Sequence, residues 1–292
     1  MANPQLAVKS SARLNAAYAA LPPWALVVAS IISVQIGAAT AKGLFETADP
    51  GGVVFLRTLL AALFFWALWR PAPRLESRRA LASAVLYGLS IVSMMLCFYS
   101  AIERIPLGVA VAVSFIGPLA VAVFGSRRAL DLAWAGLAAA GILLLSPLSN
   151  AALDPLGVAL AAAGGGCWAG YIYFSRDASR HLPGNAGLAF GMTVGALAGL
   201  PFGIGGALKA LADPSLILLA AVMALLSSII PFGLQFQALR RMPPRAAGLL
   251  LSLEPVVAAL IGVIMLGEAL GAREIAGIAL VTLAAAATAR SA

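Results

Sequence analysis

Glu254 stands inside an apolar run, LLLSLEPVVAALIGVIML, and directly precedes Pro255. If that run crosses a bilayer as a helix, a charge near its middle costs about 2.5 to 3.5 kcal/mol, so the carboxylate asks for a function. Pro255 lacks an N–H and crowds the carbonyl of Leu251, which would bend the helix and free backbone acceptors beside the carboxylate. Such a site would receive an ammonium group or a proton. The alternative is a structural Glu, held by Ser252 or a neighbouring helix to fix the kink.

Arg57 and Lys42 offer the complementary chemistry. Each lies near the end of its own apolar run, and together they could face a carboxylate, which a guanidinium binds in a bidentate way. Arg57 is the deeper, about six residues inside its run, or ~9 Å at the helical rise. The competing reading is that both long cations snorkel toward lipid headgroups. Gln35, near the middle of the first run, has no such outlet. Tyr99, Ser114, Trp168, Tyr171 and Gln235 also interrupt apolar runs, and could shape a cavity around these charges. For the aromatics, a place in the interfacial belt is the competing role.

These residues need elements to hold them, and the composition says which. The chain has 292 residues, of which 62% are hydrophobic and 10% charged; its mean hydropathy is +0.99. A soluble domain carries roughly 45 to 50% apolar and about 25% charged residues, so this is a membrane chain. A spanning helix takes about 20 apolar residues, and polar or Gly/Pro clusters divide the sequence into about ten such stretches. They run from Trp24 to Phe45, Val53 to Trp69, Ala80 to Ile102, Leu107 to Gly125, Ala129 to Ser146, Pro155 to Phe174, Asn185 to Gly206, Ser215 to Leu239, Ala246 to Leu266 and Ala272 to Ala289.

Orientation follows from the basic residues. With the first stretch leaving the cytoplasm, the inner loops hold Lys9, Arg13, Arg70, Arg74, Arg78, Arg79, Arg127, Arg128, Arg176, Arg180, Arg240, Arg241, Arg245 and Arg290. The outer loops hold only Arg104, Lys209 and Arg273. Cytoplasmic loops collect Lys and Arg, so both termini are expected inside. Topology also accounts for the net charge of +8: the cations are scattered through short loops with no basic helix face, which argues against a nucleic-acid partner.

Two segments match each other without a gap. YSAIERIPLGVAVAVSFIGPLAVAVFG begins at Tyr99 and FQALRRMPPRAAGLLLSLEPVVAALIG at Phe236, so Pro106, Pro118 and Gly125 fall on Pro243, Pro255 and Gly262 at a constant offset of 137. The flanking charges exchange sides, which says that one copy crosses outward where the other crosses inward. The expectation is an all-α membrane protein of about ten transmembrane helices in two inverted five-helix repeats. Residues 1–23 form an inner tail, 24–147 the first repeat and 154–290 the second. Pro118 and Pro255, equivalent under the repeat, are candidate hinges.

Other chemistries find little support. Gly164 to Gly166 lie in an apolar run without the Lys and Ser/Thr of a phosphate loop, so close helix packing is their expected role. Cys97, Cys167 and His181 offer no metal-ligand spacing and no structural disulfide is expected. His181 is placed in a loop, and no serine has an obvious base, so no enzyme is read here. The first apolar run is long for a signal peptide, so no cleavage is expected. No cofactor is implied. One chain can complete both repeats, so a monomer is the default expectation.

The stretches IPLGVAVAVSFIGPLAVAVFGSRRALD, GGGCWAGYIYFSR and LEPVVAALIGVIMLGEAL resemble the EamA-type drug/metabolite transporter superfamily, and within it the bacterial amino-acid exporters of the threonine/homoserine group. The likeness extends from about Ile31 to Leu283 and includes AKGLF at Ala41 to Phe45 and the FLR ending at Arg57. It implies ten helices in two inverted repeats around a central cavity, and export of amino acids and related metabolites across the bacterial inner membrane. In one place the chain departs from the group: an acidic residue usually precedes the Phe of Phe-x-Gly-Pro, and here Ser114 does. A related branch exports aromatic amino acids, so the implied range extends to threonine, methionine and aromatic residues.

Together these readings give a secondary exporter working by alternating access. The substrate ammonium would lie near Glu254 and its carboxylate near Arg57 or backbone N–H groups, with Gln35, Tyr99, Ser114, Trp168, Tyr171 and Gln235 around it. Lys42 or Glu254 would couple transport to charge or protons. The alternatives are a multidrug or other metabolite exporter, and, further off, a membrane scaffold or an intramembrane enzyme.

Overall fold

The computed structural model describes residues 21–69, 77–124, 129–145, 153–182, 186–239, 241 and 250–291. Residues 1–20 of the tail, the loop cations Arg70, Arg74, Arg127, Arg128, Arg240 and Arg245, and the first residues of the ninth stretch, 246–249, lie outside the described residues. The described elements are helical, as hydrocarbon demands of a chain that must satisfy its backbone groups internally. In order they are α1 (Pro23–Lys42), α2 (Phe45–Trp69), α3 (Arg78–Ile102), α4 (Leu107–Ser114), α5 (Ile116–Phe124), α6 (Ala129–Leu145), α7 (Pro155–His181) and α8 (Ala186–Leu211). Then follow α9 (Pro214–Ala224), a π turn (Leu225–Ile229), α10 (Ile230–Leu239), α11 (Glu254–Leu266) and α12 (Ala272–Ser291).

Helix starts follow the sequence chemistry. Ser77 accepts from Ala80 N ahead of α3; Asp154 accepts from Leu156 N ahead of α7, with Pro155 in the first turn, where its missing N–H costs nothing. Arg104 Nη1 lies 3.1 Å from Asp154 Oδ2, and this bond, then that from Leu156, holds the Asp154 carboxyl below the usual carboxylate range. Asp213 caps α9 the same way, accepting from Ser215 N and Oγ at 2.8 and 2.7 Å.

Among the described residues, six helices are long and apolar enough to cross a membrane: Pro23–Lys42, Ala48–Leu68, Arg78–Ile102, Pro155–Ser175, Ala186–Leu211 and Pro214–Gln235. Three shorter apolar helices, Leu107–Val121, Ala133–Ile142 and Glu254–Leu266, fall within the fourth, fifth and ninth stretches. Three expected continuous spans are interrupted, the ninth of them at Ser252 and Leu253. The fourth is broken at Phe115 between α4 and α5, and the eighth passes through the π turn between α9 and α10.

The helix contacts form an exchange pattern. α2 packs on α8, α4 on α11 and α6 on α12, each pairing a helix with its counterpart five spans later. The remaining large contacts come in swapped pairs: α3 on α7 matches α1 on α10, and α4 and α5 on α7 match α1 on α11. Exchanging the two halves therefore maps these main contacts onto one another. Backbones approach closely where glycines allow it: a methyl added to Gly165 of α7 would stand 2.5 Å from the Ser114 carbonyl oxygen, whereas one on Gly166 meets nothing within 4 Å.

Gly165→Ala is therefore expected to cost about 1 to 3 kcal/mol by overpacking, seen as a lower melting temperature in detergent. Gly166→Ala should leave that temperature unchanged or slightly raised.

Candidate functional site

The eight residues expected around a binding site, Gln35, Arg57, Tyr99, Ser114, Trp168, Tyr171, Gln235 and Glu254, all line one cavity enclosing about 840 Å³ of empty space, its mouth included. They come from α1, α2, α3, α4, α7, α10 and α11, so both halves of the chain build it. Its walls are mostly apolar, with Met94, Met95, Phe98, Val111 and Phe232 between the polar groups.

Arg57 forms one pole. Its side chain does not snorkel: the residue is 4% exposed. Nε donates to Ser228 Oγ at 3.0 Å, Nη1 to Tyr99 OH at 2.5 Å and Nη2 to the Ser227 carbonyl at 2.6 Å. The guanidinium carbon also lies 5.0 Å from the Tyr99 ring centroid, a cation–π distance. These partners are all neutral, so among the described residues no carboxylate pairs with the cation.

Glu254 forms the second pole. Gln35 Nε2 donates to Glu254 Oε1 at 3.3 Å, while Glu254 Oε2 and Gln35 Oε1 are buried with no hydrogen-bond partner. Two adjacent acceptors without donors, opening on a cavity, fit a ligand that brings N–H groups. The kink expected at Pro255 takes another form. The chain turns at Ser252 and Leu253, and α11 begins at Glu254 with Pro255 in its first turn. The carboxylate therefore sits at a helix N-terminus, whose partial positive charge favours it. Phe115 and Ser252 are equivalent at the offset of 137, so both halves break at the same place, with Pro118 and Pro255 just beyond.

Between the poles the surface is aromatic. Trp168 meets Phe115 edge-on at 5.3 Å, Tyr171 stacks on Tyr87 at 5.5 Å, and Phe232 lies 6.3 Å from Tyr171. These rings face the interior, against the interfacial role that also suited them. Ser114 Oγ donates to the Ala161 carbonyl at 3.0 Å, which ties α4 to α7 and engages the hydroxyl's only proton.

Lys42 departs from expectation. It does not share the cavity with Arg57; its Nζ lies 2.7 Å from Glu268 Oε1. Gly267, at φ 63°, turns the chain past α11 so that Glu268 folds back. The same carboxylate accepts from Leu107 N at 2.9 and 3.2 Å, capping α4. One acidic group thus fastens α1, α4 and the α11–α12 turn. His181 also departs: it closes α7 rather than lying in a loop, with Nδ1 3.4 Å from Ser83 Oγ. Ser83 donates to Asp177 instead, so the carboxylate takes the serine proton and the group clasps α3 to α7.

Sequence reading missed Ser227, Ser228 and the far reach of Glu268. The first two left a legible sign: a serine pair in the apolar run LLSSIIPFG, with Ser227 four residues ahead of Pro231. In an α-helix residue 231 would donate to the carbonyl of residue 227, and proline cannot.

A multi-span helical protein built from two matching halves, with a polar cavity between them, is thereby defined. The EamA-like transporter family matches twice, over residues 22–146 and 155–290. The chain belongs to that family. It is 39% identical over 255 residues to the threonine/homoserine exporter RhtA of Escherichia coli K12 and to that of Salmonella typhimurium LT2, covering 86% of this chain and 86% of each relative. It is 30% identical over 236 residues to the uncharacterized inner membrane transporter YedA of Escherichia coli K12, covering 75% of this chain and 74% of that one. A solved crystal structure superposes with a TM-score of 0.58 at 19% identity, over 90% of this chain and 95% of the other, a likeness of fold.

Glu268→Ala should lower the detergent melting temperature more than Lys42→Ala. The first strands the Leu107 N–H as well, a loss of about 1 to 3 kcal/mol, whereas a partly exposed ion pair contributes under about 1 kcal/mol. Equal shifts would show that the cap on α4 contributes nothing.

Proposed function

We propose that this protein is a secondary exporter of amino acids across the bacterial inner membrane. Ten spans in two inverted halves, with both termini cytoplasmic, would rock about the shared cavity to open it to each side in turn. The observation that carries the reading is the pairing of Arg57 and Glu254 in one apolar chamber. Each is a buried charge without an opposite charge among its hydrogen-bond partners, and a zwitterion supplies both. Its carboxylate would take the free N–H groups of Arg57, and its ammonium the orphan oxygens of Glu254 and Gln35.

The relatives named as threonine/homoserine exporters support the amino-acid class. The cavity supports a broader range: the Ser114 hydroxyl is engaged with Ala161, and Phe98, Trp168 and Phe232 offer apolar surface suited to methionine or aromatic side chains. A buried guanidinium disfavours hydrophobic cations, which weighs against the multidrug alternative. Charge coupling is assigned to Glu254 rather than Lys42, whose ammonium is held by Glu268. Pro118 and Pro255, each just past a helix break, remain the proposed bending points.

Flux of an amino-acid panel in proteoliposomes, with and without an imposed pH gradient, tests the reading. Arg57→Gln is expected to lower kcat/KM by about tenfold or more, as expected for a lost charge-assisted contact of about 1.5 to 3 kcal/mol. Glu254→Gln should abolish any response to the pH gradient. Undiminished flux in both variants, or inhibition by a hydrophobic cation with no amino-acid transport, would remove the proposal.

A further inference from the structure

We propose that Pro231 is a positioning residue that sets Arg57 for carboxylate binding by depriving the Ser227 carbonyl of its helical donor. The inference rests on the reading of Arg57 as the group that receives the substrate carboxylate. In a regular helix the N–H of residue 231 would satisfy the carbonyl of residue 227, and proline has no N–H. Ser227 is fully buried, so bulk solvent and headgroups do not reach that carbonyl and a buried partner has to replace the donor. Arg57 Nη2 replaces it, at 2.6 Å.

The π turn completes the arrangement. Ile230 N bonds to the Leu225 carbonyl, five residues back, and the widened turn presents Ser227 O and Ser228 Oγ as consecutive acceptors. They take Nη2 and Nε, which together form one edge of the guanidinium. Tyr99 OH takes one proton of Nη1. Of five donors, one N–H on each terminal nitrogen is then left over among the described residues, and two such groups can hold a carboxylate in fork fashion. Pro231 also lines the cavity, yet its ring offers a ligand no hydrogen bond. Its contribution runs through the helix it interrupts.

Pro231→Ala restores the N–H, which then competes with Nη2 for the Ser227 carbonyl and weakens its hold on the guanidinium. Proteoliposome uptake of methionine and of methionine amide, which keeps the ammonium and side chain but lacks the carboxylate, reads the effect. Wild type should prefer methionine; in Pro231→Ala the KM for methionine should rise about tenfold while that for the amide changes less than about twofold. Arg57→Gln should lose the same preference, and the double variant should lose no more. Thermal stabilisation in detergent by the two ligands gives the same comparison without transport, and Pro231→Leu restores the N–H if the alanine variant fails to insert. If Pro231→Ala and Pro231→Leu keep the wild-type preference while Arg57→Gln loses it, the positioning role is overturned and the reading of Arg57 stands. Absence of any preference in wild type would overturn both.

Discussion

A polar group inside hydrocarbon has no solvent to turn to, and the interior of this protein is organised by that constraint. Its mildest expression is the helical backbone itself. Its stronger expression is Arg57, a permanent cation at 4% exposure whose charge is spread over a phenol, a serine hydroxyl and a backbone carbonyl. Each of those acceptors comes from a helix other than its own, so α2, α3 and the π turn are bound to one another through a single side chain. Beside the cavity, Glu254 Oε2 and Gln35 Oε1 are buried without donors among the described residues, a cost that a ligand bringing N–H groups would relieve.

The same constraint decides where helices can break. An interrupted helix exposes N–H and C=O groups, which a membrane protein tolerates only where they face protein or a wet cavity. Here the breaks at Phe115 and at Ser252–Leu253, and the π turn, all border the cavity: Ser114, Ser227 and Glu254 line it. At these three places irregular backbone and chemistry coincide, whereas the left-handed Asp49 near the start of α2 stands outside the cavity lining.

Much of this was legible in the sequence. In a chain so short of charge, each polar residue in an apolar run must face inward or sit near a headgroup, which is why Gln35, Arg57 and Glu254 could be singled out. Tyr99, Trp168 and Tyr171 were harder, since an aromatic ring suits the interface as well as a cavity. Lys42 was misplaced because its partner lies 226 residues away, and reach across the chain leaves no local periodicity. The break ahead of Pro255 lies where a bend was expected, but its form was not legible, for a simpler reason. A proline can bend a continuous helix or open a new one, and only the backbone of Ser252 and Leu253 tells which.

The repeat also explains why one half carries the acid. At the offset of 137, Gly117 and Glu254 are equivalent, each just past the break and each in the first turn of a new helix. In the first half, the absence of a side chain lets α5 meet α7, where a methyl on Gly117 would collide with the Gly165 carbonyl. In the second half, Gln35 of α1 donates to the carboxylate. Two equivalent helix starts thus serve different ends: one closes the bundle by backbone contact, and the other places a charge at a helix N-terminus beside a glutamine amide. Internal symmetry supplies the scaffold, and the departures from it supply the site.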